Sequence, residues 1–354
     1  MKTRVLWVLG LGLCGLLTSG AVRSLTPLQL ERYIQQKLRF NAETLRLNEK
    51  DIGPAGAQFL ARSPLLRKIR RLMIYKGNLG DEGVAFLARS ENLSNLKELY
   101  IETDTITDAG AKALADSPYL SQLEVLNLFH NRVGDEGAKA LAESRTLGNL
   151  TLLNLNYNRV GDAGARALTE SPHLKSLTHL ELAYNRLGPE GERALKVFRF
   201  KNLLALWHRE GRLSNLENYY IGDLGVRLLL ESPYIGELTE LNLAHNDLTD
   251  ASAEAIAESP HVTGLVRLNL SGNLIGDRGA IVLAGSAGLR NLKYLDLNFN
   301  QIGDAGAFAL ARSETLSGLE TLRLGQNRIG DEGARALAES PYLKNLMFPI
   351  FGFY

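Results

Sequence analysis

Residues 152–174 read LLNLNYNRVGDAGARALTESPHL. Leu153 and Leu155 alternate with Asn154, a period of two that turns the leucines one way and Asn154 the other, so the stretch opens as a short strand. Asn158, Val160 and Gly161-Asp162 follow, and then Ala163 to Leu168 read as a small helix. VLNLFHNRVGDEGAKALAES from Val125 and YLDLNFNQIGDAGAFALARS from Tyr294 repeat the same order. With the second leucine of each L-x-x-L-x-L-x-x-N as origin, eleven units start at Leu45, Leu72, Leu99, Leu126, Leu153, Leu180, Leu206, Leu241, Leu268, Leu295 and Leu322, 27 residues apart except for 26 before Leu206 and 35 before Leu241. A repeat of this period is a supersecondary unit that buries its apolar side only against its neighbours, which predicts one elongated domain over 45–348.

Each unit carries the same devices. The asparagine after the strand recurs as Asn131, Asn158, Asn185, Asn246, Asn273, Asn300 and Asn327. A carboxamide both donates and accepts, so it can satisfy backbone groups stranded in a buried turn, and the spacing predicts a structural ladder. Lys50, Gly77 and Asp104 replace it in the three earliest units, which predicts a looser N-terminal end. The aspartate of each Gly-Asp directly precedes helix-forming residues, where it would cap that helix. Ser-Pro pairs such as Ser171-Pro172 close the helices, because the residue before proline avoids helical geometry.

The pattern L-x-x-L-x-L-x-x-N-x-[VIL]-G-D-x-G-A-x-A-L resembles leucine-rich repeats of the ribonuclease-inhibitor-like subfamily, in the form common in bacterial proteins. The resemblance implies an α/β solenoid, a horseshoe with a parallel sheet on the concave face and helices on the convex face, serving as a protein-binding surface. The chain lacks the many cysteines and alternating repeat lengths of ribonuclease inhibitor, so inhibition of a ribonuclease is not implied.

At the N-terminus, Lys2 and Arg4 precede thirteen apolar or small residues, Val5 to Leu17, and the small residues up to Ala21. This reads as a signal peptide over 1–21, which predicts a secreted, periplasmic or envelope protein; an uncleaved anchor or a cytoplasmic chain is the alternative. Cys14, the only cysteine, lies in that leader, so cleavage would leave no thiol for disulfides, metal or catalysis. Cleavage also takes Lys2 and Arg4 from 40 basic residues, leaving 38 against 39 acidic, a balance without bulk attraction for nucleic acid or anionic membrane. A helix from about Pro27 to Leu38, opened by the capping box Thr26-x-x-Gln29, should cap the array within 22–44 through Leu28, Tyr33, Ile34 and Leu38. The apolar tail, 349–354, either folds over the last repeat or marks a contact. The extra length after Leu206 reads as an insertion near 214–221, rich in aromatic residues.

Function is expected on the strand face. Tyr75, Tyr100, Phe129, His130, Tyr157, Tyr184, Trp207, Arg209, His245 and Phe299 fall on it and would form a track for a protein or peptide. Arg132, Arg159, Arg186 and Arg212 form a basic row, either a grip for an acidic partner or a rim paired with acids such as Glu136 and Glu190. The six histidines show no metal-ligand spacing and no nucleophile motif is present, so neither cofactor nor catalytic residues are expected. The alternative is a cytosolic GTPase-regulating protein similar to the Ran GTPase-activating protein.

Overall fold

A computed structural model describes residues 25–347 and 350–351. The leader assigned to 1–21, Cys14 and part of the apolar tail lie outside the described residues. The chain divides into two compact units, between Leu195 and Lys196.

In the first unit, helix α1 (Pro27–Phe40) precedes strands and helices in strict alternation: β1 (Thr44–Arg46), α2 (Gly53–Arg62), β2 (Arg71–Tyr75), α3 (Gly80–Ala88), β3 (Glu98–Glu102), α4 (Asp108–Ala115), β4 (Val125–Asn127), α5 (Asp135–Glu143), β5 (Leu152–Asn154), α6 (Asp162–Thr169) and β6 (His179–Glu181). The six strands form one parallel sheet in sequence order, and Leu45, Leu72, Leu99, Leu126, Leu153 and Leu180 lie side by side in it. These leucines are at most 2% exposed; they meet the inner faces of the helices, so the core is a continuous stack between the two layers. The capping box of α1 is present in full, but the helix buries Leu30 and Ile34 and leaves Leu28 exposed. The phase differs from the sequence expectation because Leu30, one turn before Ile34, is the residue that lies against α2 at Gly56.

Helix α7 (Pro189–Arg209) contains the division between the units. The second unit continues with α8 (Gly222–Leu230), β7 (Glu240–Asn242), α9 (Asp250–Glu258), β8 (Arg267–Asn269), α10 (Asp277–Gly285), β9 (Tyr294–Asp296), α11 (Asp304–Ala311), β10 (Thr321–Arg323) and α12 (Asp331–Ala338). β7 to β10 make a separate four-stranded parallel sheet. The tail prolongs its ladder: Met347 N–H donates to the Glu320 carbonyl and Leu324 N–H to that of Ile350, both at 2.9 Å. Leu346 and Ile350 pack on the core, while Met347 and Phe351 stay exposed.

The strand expected at Leu206 does not exist. That stretch belongs to α7, whose 21 residues take up the extra length, and Leu204 and Trp207 are buried from the helix. The segment 214–221 is no insertion: Asn215 bridges Asn242, 27 residues on, and Asp223 stands 27 before Asp250. A unit in regular register therefore runs from Ser214, with Tyr219 in place of the ladder asparagine.

Three sets of side-chain bonds tie neighbouring repeats together. Asn158 accepts from Val133 N–H (2.9 Å) and donates to the Leu128 and Leu155 carbonyls (2.8 and 3.1 Å), and the other six ladder asparagines accept from a backbone N–H of the preceding unit and donate to its carbonyls in the same way. The aspartates work differently from expectation. Asp135 is the first residue of α5, whose N-cap Gly134 has no side-chain bond; its carboxylate reaches the next repeat, accepting from Gly161 N–H (2.7 Å) and Gly164 N–H (2.9 Å) at the start of α6. Asp108, Asp162, Asp250, Asp277 and Asp304 do the same. The carboxylate thus meets the positive end of the neighbouring helix. A side chain on Gly164 would place its Cβ 2.7 Å from Asp135 Oδ1, which explains the second glycine of G-D-x-G. The third set was not apparent from sequence: Ser144 Oγ donates to the Ala115 carbonyl (2.6 Å), and Ser90, Ser117, Ser171, Ser286, Ser313 and Ser340 likewise cap the helix before their own.

The cross-repeat cap makes a sharp prediction. Asp135→Ala strands two N–H groups at the start of α6 and should cost about 1–2 kcal/mol. Asp331→Ala serves as the control, because Asp331 is exposed and accepts no hydrogen bond from any described residue; its urea midpoint should not move. Equal losses in the two variants would refute the cross-repeat cap.

Candidate protein-binding surface

The residues between the core leucines of each strand point away from the helices. In the first unit they form a polar network. Glu98 receives the guanidinium of Arg71 from the adjacent strand and the hydroxyl of Tyr100 (3.0 Å), and Asn127 donates to Glu102 (2.9 Å). The hydrogen bonds from Arg71 hold Glu98 below the usual carboxylate range. Burial, reinforced by Glu98, pushes the Tyr100 phenol up to about 12, and burial raises Glu102. A comparable group lies in the second unit: Tyr294 donates to Asp296 (3.0 Å), with the Arg267 guanidinium 4.1 Å and that of Arg323 5.4 Å from its ring centroid. Of these residues the sequence pointed only to Tyr100; the others stand one residue before or after a core leucine, or three after Leu99 in the case of Glu102, and carry a signal only once the register is known.

At the end of each strand the chain turns through a residue in the left-handed region, at intervals of 27 within each unit: Glu49, Lys76, Thr103, His130 (φ 54°), Tyr157 (57°) and Tyr184 (58°) in the first, Asn218, His245 (55°), Gly272 (66°), Phe299 (54°) and Gln326 in the second. Bulky residues seldom adopt this conformation and glycine does so freely. Gly272 shows that the turn itself needs no side chain; a Cβ there would run into the His245 ring.

The track expected from sequence contracts to one cluster in the first unit. Tyr157 and Tyr184 stack with centroids 4.2 Å apart at 16°, Phe129 meets Tyr157 edge-on at 5.2 Å, and His130 lies 6.0 Å from Tyr157. Tyr184 is 72% exposed and Tyr157 41%. Tyr75 and Tyr100 lie on strands of the same unit but make no ring contact with this cluster, and His245 and Phe299 lie on turns of the second unit. Trp207 and Arg209 do not belong to the surface: both are on α7, where Trp207 is buried against Phe200 and Tyr219. Arg212 also leaves the basic row, since it follows α7 out of register and binds Glu210 and Tyr219. Arg132, Arg159 and Arg186 stay exposed and form no salt bridge with any described residue; Glu136 pairs with Lys139 instead. Among the described residues no group of three or more histidine, cysteine, aspartate or glutamate side chains could hold a metal ion, and no helix is long and apolar enough to cross a membrane.

Comparison with known proteins agrees with this architecture. Residues 120–142, 149–168, 173–196, 238–257, 264–284, 288–311 and 318–338 match a family described as leucine rich repeat. No curated protein matches the chain. Among solved structures, an internalin (inlF) from Listeria monocytogenes is 21% identical over 91% of this chain and 88% of its own, with a TM-score of 0.27. A yeast complex of Rad7 and Elc1 is similar at 17% identity, over 89% of this chain and 75% of that one, with a TM-score of 0.32. Internalin C2 from Listeria monocytogenes is 22% identical over 68% of this chain and 82% of its own, with a TM-score of 0.24. Likenesses of this degree carry no argument about function. The seven matched segments fall on units whose strands, ladder asparagines and capping aspartates recur along the chain, and the fold is that of an α/β leucine-rich-repeat solenoid.

Proposed function

We propose that the protein is an exported, non-enzymatic scaffold of the ribonuclease-inhibitor-like repeat type, holding a protein partner on the sheet face and strand-end turns of its first unit. The observation that carries this reading is the set of exposed aromatic rings at left-handed positions. Such residues cost of order 1 kcal/mol or more each, the same place holds the polar residues Glu49, Lys76 and Thr103 in the earlier repeats and glycine at Gly272, and large exposed aromatics supply interface hot spots. Stacking of Tyr157 on Tyr184 holds their rings in place without a partner, so little side-chain freedom remains to be lost on binding. No observation favours the GTPase-regulating alternative.

Replacing Tyr157 and Tyr184 together by alanine should lower partner affinity at least tenfold while leaving the melting temperature little changed, since both rings are exposed and alanine keeps the Cβ that the left-handed turn already accommodates. Unchanged affinity would refute the assignment. Export is tested separately by the intact mass of the protein from fractionated native cells. A chain starting near Val22 outside the cytoplasm supports it, and an uncleaved cytosolic chain refutes it.

A further inference from the structure

The strand-end turns of the first unit carry a second row beside the aromatic one. Arg132, Arg159 and Arg186 each follow a ladder asparagine, and their N–H groups donate to the carbonyls of Ile106, Val133 and Val160 at 2.7, 2.8 and 2.9 Å. Their backbones are therefore fixed in the repeat register, while their side chains are exposed and meet no acid among the described residues. Of the acids that follow them in sequence, Asp135 and Asp162 cap helices of the following repeats, Glu136 binds Lys139, and Glu190 forms no salt bridge with any described residue. Three unneutralised cations thus run parallel to the rings of His130, Tyr157 and Tyr184, one pair per repeat.

Spacing selects the partner. Neighbouring parallel strands are about 4.8 Å apart, so each row presents a group roughly every 5 Å. One turn of an α-helix rises about 5.4 Å, which brings side chains at i, i+4 and i+7 close to that interval. An extended strand repeats one face only every ~6.8 Å, two residues at about 3.4 Å each, and loses register by the third arginine. The chain as a whole has 40 basic and 39 acidic residues, so it lacks the broad excess that holds a nucleic acid or polysaccharide through counterion release.

We infer that this strip is the docking site for an acidic amphipathic helix of a partner protein, with acids along one stripe facing Arg132, Arg159 and Arg186 and apolar side chains along the next facing the aromatic cluster. The assignment rests on the binding function proposed above and names the partner's chemistry and its seat. Helix-in-groove recognition of this kind reads anchors one turn apart.

The experiment selects ligands for the full chain from a displayed library in which the outer positions of a fixed helical scaffold are randomised. The expected ligands carry Glu or Asp at i, i+4 and i+7 beside an aliphatic or aromatic stripe. Their affinity should fall at least tenfold for Arg132→Gln/Arg159→Gln/Arg186→Gln, with an unchanged melt, fall much less for the corresponding lysine variant, and weaken as salt is raised. Ligands without an acidic stripe, or ligands that bind the glutamine variant equally well, overturn the assignment. Ligands that depend on Tyr100 and Asn127 but not on the arginines overturn it while leaving sheet-face binding intact; absence of any ligand removes both readings. Retention on heparin that the glutamine variant loses, without helical ligands, assigns the row to a polysaccharide and overturns the proposal.

Discussion

Leu155→Asp should lower the free energy of unfolding by about 4 kcal/mol or more, because a carboxylate enters a fully buried apolar site with no counter-charge. Leu155 is fully buried, its N–H donates to the Glu181 carbonyl, and its own carbonyl accepts from the amides of both Asn158 and Asn185. The side chain therefore cannot swing out without breaking the ladder on two sides. Each repeat is stabilised chiefly by its neighbours, so the damage should spread through the first unit. Urea denaturation followed by far-ultraviolet circular dichroism measures it; a loss below about 1 kcal/mol, the scale of a surface change, would show that the leucine register is wrong.

Asp104→Asn should stabilise the protein at neutral pH. Asp104 stands where later units carry the ladder asparagine, and it is fully buried. Its Oδ1 accepts from Leu79 N–H at 3.1 Å, but Oδ2 has no hydrogen-bond partner. At that place Asn131 presents its NH2 group to the carbonyls of Ile101 and Leu128, so a carboxylate offers an acceptor where the fold offers acceptors. Desolvation pushes the Asp104 carboxyl up to about 6, against bonds from the backbone of Leu79, Gly77 and Asn78 that favour the ionised form, and Glu102 adds repulsion. The folded chain therefore holds this proton to higher pH than the unfolded chain does. Stability from this group is present below about pH 4 and is lost as pH rises through about 6; a shift of roughly two pKa units corresponds to about 3 kcal/mol. Asp104→Asn should match wild type near pH 4 and exceed it by up to that amount at pH 7. Equal stability at pH 7, or a difference that does not change between pH 4 and pH 7, would refute the assignment.

How much of this could be read from sequence depends on whether a residue's partner lies in its own repeat. The 27-residue period placed ten of the strands at their leucines, since a strand is decided by alternation within three residues. The Leu206 unit misled because Leu203, Leu204 and Leu206 imitate the leucine spacing while belonging to α7; counting back 27 residues from Asp250 to Asp223, and from Leu243 to Leu216, gives the register that the helix obscures. Tyr219 in the asparagine position removed the remaining cue. Asp135 reads as the cap of its own helix because sequence shows adjacency, whereas its partners lie 26 and 29 residues ahead. Ser144 was hidden for the same reason, its acceptor lying 29 residues behind. On the binding surface the aromatic positions were visible as residue types, but only the turn geometry shows that four rings meet and that Trp207 is not among them.

The central claim is that the partner sits on the strand-end turns of the first unit and not on its helices. Benzoylphenylalanine placed at Tyr184, in the ring cluster, and separately at Lys139, on α5, tests it when each is irradiated in native cells. The account predicts a partner adduct from position 184 and none from position 139. Adducts from position 139 alone would place recognition on the helical layer and contradict it.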